Sequence, residues 1–171
     1  MKLLYLLAMT VCLMALAEEA QYSIEEIEGF ISKKAWAEAM LHLPTVPESE
    51  RGKKWVPFVE KVAVGYLKSV AAESAANAMA IVDSLPQEYP VLRSSRVFHD
   101  AVEAIAYTGF SDCFADRGNE AECSKNLKVF VESHMESHER PFSRFCKDPK
   151  MAKALAGLCL AGKANPKGER P

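Results

Sequence analysis

The sequence predicts an all-α protein, with helical hairpins stacked as a short irregular α-solenoid or bundle and stapled by two disulfides. Three observations predict it. Apolar residues recur at helical spacing along almost the whole chain, while strand-like alternation is scarce. Prolines and glycines punctuate that pattern at short intervals. Four cysteines follow a cleavable leader, an even number that reads as two bridges in an exported chain.

The elements follow in order. Met1 to Ala17 carries Lys2, an apolar run from Leu3 interrupted by Thr10, and the A-x-A site Ala15-Leu16-Ala17 before Glu18 and Glu19. This is the pattern of a secretory signal peptide cleaved near Ala17. Its apolar run is shorter than the roughly 20 residues that span a bilayer. Lipid anchoring on Cys12 is disfavoured, because Met9-Thr10-Val11 lacks the small residue expected before a modified cysteine. Residues 18–162 then read as one helical domain and 163–171 as a disordered tail.

Ser23 and Glu26 form a capping box, with Ile24, Ile27 and Ile31 on one face of the first helix. Ser32 is placed to cap a second short helix carrying Trp36, Met40 and Leu43, ended by Pro44 and Pro47. A long helix follows, with Trp55, Val59, Val62, Tyr66 and Val70 on one stripe and Pro57 in its first turn. An alanine-rich helix is expected from Glu73 to Leu85, stopped by Pro86. The next helices are expected over Val91 to Tyr107, over Ser111 to Asp116, and from Asn119 and Glu122 through Leu127, Phe130 and Val131. The last helix runs from Asp148-Pro149 to about Ala161, with Gly162 after it.

Three segments share a pattern. Trp36-x-x-Ala39-Met40 precedes Leu43-Pro44, Ala75-x-x-Ala78-Met79 precedes Leu85-Pro86, and Phe110-x-x-Cys113 precedes the turn at Gly118. Over about residues 24–118 this resembles the second helix of tetratricopeptide-like repeats, where an aromatic precedes a small residue and a proline follows. The resemblance implies stacked hairpins that present a protein-binding surface. An irregular bundle with chance spacing is the other reading of the same residues. On the first reading, Trp36, Trp55, Tyr66 and Phe110 are candidates to line that surface; on the second they fill the core.

Cys113 and Cys123 lie five residues either side of Gly118, so a hairpin turning there would bring them together. That leaves Cys146 with Cys159. A straight helix from Pro149 would carry Cys159 about 15 Å along its axis, whereas bridged Cα atoms stay within about 7 Å. Either the last helix starts later or the pairing is crossed.

Composition bounds the function. The chain has 171 residues, is 49% apolar and 26% charged, and has a net charge of −2. Nine prolines and eight glycines exclude a collagen-like or linker protein. Residues 18–139 carry 12 basic and 21 acidic side chains, whereas 140–171 carry 8 basic and 2 acidic. An acidic body argues against nucleic acid as partner, while a basic end suits an anionic surface met through residues 140–170. No G-x-S-x-G, phosphate-cradling glycine loop or C-x-x-C occurs. His134 and His138 stand four apart, the one pair that could share a metal on a helix face, but the run H-M-E-S-H lacks the metalloprotease spacing. A solvated helix end explains them without a metal. His99 reads as a boundary residue, and His42 as a helix-end residue.

The expected protein is thus exported, periplasmic or secreted, non-catalytic and without cofactor. It would bind another envelope or secreted protein, with no transmembrane anchor. A small inhibitor or immunity-type protein, using the loop near Gly118, is the first alternative, and a metal-binding protein the second.

Overall fold

The computed structural model describes residues 21–116, 118–134 and 144–159. The signal peptide, the tail, His138 and Arg140 lie outside these residues, as does the end of the last helix at Ala161 and Gly162. Among the described residues there are eight α-helices, four short 3-10 turns and no strand.

Helix α1 (Ile24–Ser32) opens with the expected capping box: Glu26 N–H donates to the Ser23 hydroxyl, and Ser23 N–H donates to the Glu26 carboxylate. Ser32 does not cap the next helix. Its hydroxyl donates back to the Gly29 carbonyl. The chain reverses instead through Lys34, which takes φ 59°, while Ala35 N–H bonds the Phe30 carbonyl and Lys34 N–H the Ile31 carbonyl. That double bond is a Schellman ending, built here without glycine. Helix α2 (Trp36–His42) then starts without a side-chain cap.

Helix α3 (Trp55–Glu73) is 19 residues long, with Pro57 in its first turn, where no N–H is needed. The expected helix from Glu73 to Leu85 is divided. Glu73 ends α3, and Ser74 accepts from Asn77 N–H to cap α4 (Ala75–Ile81). Pro86 does not stop a helix. It sits in the first turn of α5 (Leu85–Glu88), for the same reason as Pro57.

A 3-10 turn over Pro90–Ser94 precedes α6 (Arg96–Ala115), capped by Ser95. The helices expected over Val91 to Tyr107 and over Ser111 to Asp116 are therefore one, beginning five residues later. Gly109 does not break it. A Cβ there would sit 3.2 Å from the Ala75 Cβ, so the glycine serves a close approach of α4 to α6. Helix α7 (Glu120–His134) and α8 (Pro149–Ala154) follow.

The helices pack largely in chain order: α1 on α2, α2 on α3, α3 on α4, then α4 and α3 on α6, α6 on α7, and α7 on α8. One buried cluster runs through all of them, from Ile27 and Leu43 through Leu67 and Phe98 to Leu127 and Met151, each 1% exposed or less. The small residues of the shared pattern serve this packing: Ala39 and Ala78 are fully buried. No described helix is long and apolar enough to cross a membrane.

Both disulfides pair neighbours in sequence. Cys113–Cys123 spans 5.9 Å between Cα atoms and ties α6 to α7. Cys146–Cys159 spans 5.6 Å. Neither way out of the length conflict is taken: α8 does start at Pro149, capped by Asp148, but breaks at Leu155 (φ −103°, ψ 23°). The chain turns there and brings Cys159 back to Cys146.

Candidate functional site

Two linkers between successive helix pairs are built alike. In the first, Leu43-Pro44 opens a 3-10 turn, and Arg51 donates from Nη2 to the Pro44 carbonyl (2.8 Å) and from Nε to the Val46 carbonyl (2.9 Å). In the second, Leu85-Pro86 opens α5, and Arg93 donates from Nε to the Pro86 carbonyl (3.1 Å). In both, the arginine lies seven residues beyond the proline it binds. A proline carbonyl facing the end of a helix has no downstream N–H to meet, and the guanidinium satisfies it.

The linkers face each other across a cleft of about 270 Å³, lined on one side by Pro44, Arg51, Trp55 and Val59 and on the other by Glu88 to Val91. Arg51 lies over the Trp55 ring at 4.9 Å and so holds the half-buried indole at the cleft wall. Opposite, Tyr89 is 8% exposed, and its hydroxyl is buried without a hydrogen-bond partner. Burial, then the neighbouring Glu88 carboxylate, pushes this phenol far above the usual tyrosine range, and Arg51 opposes the shift. The hydroxyl is therefore protonated at neutral pH and shut off from solvent.

Of the four aromatics expected on a binding surface, only Trp55 lines this cleft. Trp36 is half-buried with its six-membered ring on Gly65 of α3. Tyr66 is half-buried on α3 against the core. Phe110 packs on Phe130 of α7 at 5.8 Å between ring centres. The structure does not bring the four together: Trp36 and Phe110 join helices, and Tyr66 packs on the core. Arg51, Tyr89 and Arg93 were not singled out by periodicity. The signal for the two arginines is the repeated Leu-Pro with arginine seven beyond the proline, and Tyr89 has none.

A second depression of about 400 Å³ lies between the start of α7 and α8, lined by Glu120, Ala121, Ser124, Lys150, Lys153 and Ala154. The described part of the basic end is docked. Phe145, Met151 and Leu155 are buried, Arg144 lies 5.7 Å over Tyr107, and Lys150 donates from Nζ to the Phe114 carbonyl at 2.6 Å. That carbonyl belongs to the last turn of α6, where a cation suits the helix dipole.

His134 stacks on Phe130 at 4.7 Å, and its Nε2 meets the Asp83 carboxylate at 2.8 Å, joining α7 to the α4–α5 turn. Its expected companion His138 lies outside the described residues, among which no group of three or more metal-ligating side chains occurs. His42 ends α2, as read from sequence, and stacks on Tyr22 at 4.0 Å. His99 Nε2 meets the Arg93 carbonyl at 3.0 Å. No protein-family model, curated protein or solved structure matches this chain.

Proposed function

We propose that this protein is an exported, non-catalytic helical interaction module of the cell envelope, whose partner is another envelope or secreted protein. The observation that carries the reading is the pair of like-built linkers, which meet at an aromatic cleft between successive helix pairs. Stacked helix pairs generate extended recessed surfaces of this kind. An arginine-held tryptophan is a residue type that anchors protein interfaces. The exposed Lys147, Lys150 and Lys153 would add attraction to an anionic surface.

The test is capture of partners by the tagged mature chain from native envelope extract, at about 0.15 M salt and again at about 1 M, where screening shortens to about 3 Å. The reading expects one stoichiometric protein held at both. Retention only at low salt would reduce it to a charge contact of the basic end, and no retained protein would refute it.

A second reading has its own observation. The turn between α6 and α7 is braced by Cys113–Cys123 and by Asp116, which accepts from Gly118 N–H and from Asn119 Nδ2. A preorganised turn of that kind suits an inhibitor or immunity-type protein. Replacing residues 115–121 with Gly/Ser should then abolish binding to the captured partner. Unaltered binding would dismiss the inhibitor.

A further inference from the structure

We propose that the docked basic segment, residues 144–159, is a peripheral contact for an anionic lipid bilayer, with Lys147 and Lys153 as its outward cations. The proposal takes up the anionic surface of the reading above and gives it a chemistry, phospholipid headgroups. It is a contact separate from the protein partner.

Apolar side chains, not charges, hold the segment. Phe145, Met151 and Leu155 are buried, and Cys146–Cys159 closes the loop. Arg144, Lys147, Lys150 and Lys153 are all exposed. Residues 18–139 carry 21 acidic against 12 basic side chains, yet none of the four cations forms an ion pair among the described residues. The segment's own carboxylate, Asp148, accepts from Lys150 N–H and Met151 N–H at the start of α8. Glu120 shares a depression with Lys150 and Lys153 but pairs with neither. Arg144 is engaged by Tyr107 and Lys150 by the Phe114 carbonyl. Lys147 and Lys153 have no such contact among the described residues. The fold therefore fixes a cluster of charge that it does not neutralise, although carboxylates are plentiful in the body.

The residue types select the partner. Beside the cations the segment exposes only Pro149, Ala156 and Gly157. It offers no exposed aromatic or large apolar anchor of the kind that centres a protein interface, where lysine is depleted. Three of the four cations are lysines, hydrated point charges without the planar fork that grips one carboxylate or phosphate by two bonds. Such charges gain from a dense field of phosphates and need no fixed geometry. Nucleic acid offers phosphates as well, but a groove that grips it would be walled by the acidic body. A bilayer touches one side of the molecule, and screening over about 8 Å at physiological salt mutes the acidic helices behind it.

The test is sedimentation of the full mature chain with vesicles of phosphatidylglycerol and phosphatidylcholine in equal parts, and with phosphatidylcholine alone. Each is run at about 0.15 M and about 1 M salt. The chain should pellet with the anionic vesicles at the lower salt only. Lys147→Gln with Lys153→Gln should weaken that binding about 25-fold, at about fivefold per charge, whereas Lys147→Arg with Lys153→Arg should keep it. Lys150 is left in place because its bond to Phe114 belongs to the docking. Lys33→Gln with Lys61→Gln removes the same charge from two exposed lysines of the body and should change binding about twofold or less.

Equal pelleting with the neutral vesicles overturns the proposal, as does binding that survives the higher salt. So does an unchanged affinity in the Lys147 and Lys153 pair, which would put the contact outside residues 144–159. An equal loss in the Lys33 and Lys61 pair would reduce it to net charge and overturn it too. Displacement by millimolar inorganic phosphate at constant ionic strength overturns it in favour of a discrete phosphate site. The two readings fail separately. A protein captured from extract at both salts while vesicles are ignored removes the lipid contact and leaves the module. Vesicle binding with no protein retained removes the module and leaves the lipid contact.

Discussion

Replacing Gly65 by alanine should destabilise the protein, against the rule for helices. Gly65 lies well inside α3, where alanine normally gains about 1 kcal/mol over glycine. Here the added Cβ would fall well inside contact distance of Trp36 Cε3, Cζ3 and Cδ2. Those are atoms of a rigid ring, not the end of a pliant chain, so α2 must move away or the indole must leave its rotamer. Overpacking of that kind costs about 1–3 kcal/mol, to which is added part of the indole's contact with the core. After the helical gain is offset, the net loss is about 1–2 kcal/mol. For a chain of this length that is a fall of about 2–8 °C in Tm, at roughly 2–4 °C per kcal/mol. Thermal and urea denaturation followed by far-ultraviolet circular dichroism would measure it. The same substitution made in a Trp36→Ala background should reverse sign and raise stability by about 1 kcal/mol, since the overlap is gone. Gly65→Ala that stabilises the parent chain would refute the close approach of α2 to α3.

Lys34→Gly should raise stability by about 1 kcal/mol, because a lysine at φ 59° bears the left-handed penalty that glycine escapes; urea midpoints would check it, and a loss would contradict the Schellman ending. Arg51→Ala should cost more than Arg93→Ala, since Arg51 donates to two carbonyls and covers Trp55; equal midpoints would argue against the cation–π contact. Cys159→Ser should cost up to about 3 kcal/mol on loop-entropy grounds and open the described basic end to trypsin at Lys147, Lys150 and Lys153. Protection equal to the parent's would show that Phe145, Met151 and Leu155 hold the segment unaided. Hydrogen bonds from Ser23 hold the Glu26 carboxyl below its ordinary range. Its stabilising effect is thus present above the unfolded pKa and lost as pH falls through the lower folded one. Amide exchange at the start of α1 should quicken in that acid window relative to the rest of the helix, and Ser23→Ala should remove the difference.

Much of the fold could be read from residue types whose effect is local. The capping box at Ser23 and Glu26 and the placement of Pro57 depend on neighbours within a turn or two, whereas the buried face of α3 centres on Phe58, Val59, Val62, Ala63 and Leu67, so that Trp55, Tyr66 and Val70 of the expected stripe sit at its edge. What could not be read depends on contacts across the fold. Gly109 lets α4 come close to α6 rather than ending a helix, and nothing nearby in sequence says so. Pro86 follows an alanine-rich run and reads as a stop, although the same residue type is welcome in a first turn. Ser32 has the side chain of a cap, but the reversal is made by backbone bonds through Lys34. Leu155 gives no sign of a break, and the second disulfide depends on it.

The candidate site divides in the same way. Trp55 stands out in sequence because it is large. Tyr89 does not, because an aromatic beside a proline reads as ordinary turn filling. Its distinction is an unsatisfied hydroxyl, which is a property of the fold. Arg51 and Arg93 were legible only as a pair, through the shared offset from Leu-Pro, and one of them alone carries no signal. Trp36 shows the opposite error: size suggested an interface, but Gly65 had made room for it inside the packing.

The positions of the two bridges bear on how the chain is made. All four described half-cystines come after residue 112, and they pair in order, the first with the second and the third with the fourth. A chain emerging N-terminus first has completed α1 to α5 before any of these four thiols appears. Those helices contain no cysteine, so they can assemble without an oxidant and offer no thiol for a later one to capture. When Cys123 emerges, its native partner is the only one of the four already available. Cys146 and Cys159 then meet after that bond can have closed. Vectorial emergence alone thus steers toward one of the three pairings, a bias that refolding from the full-length reduced chain does not share.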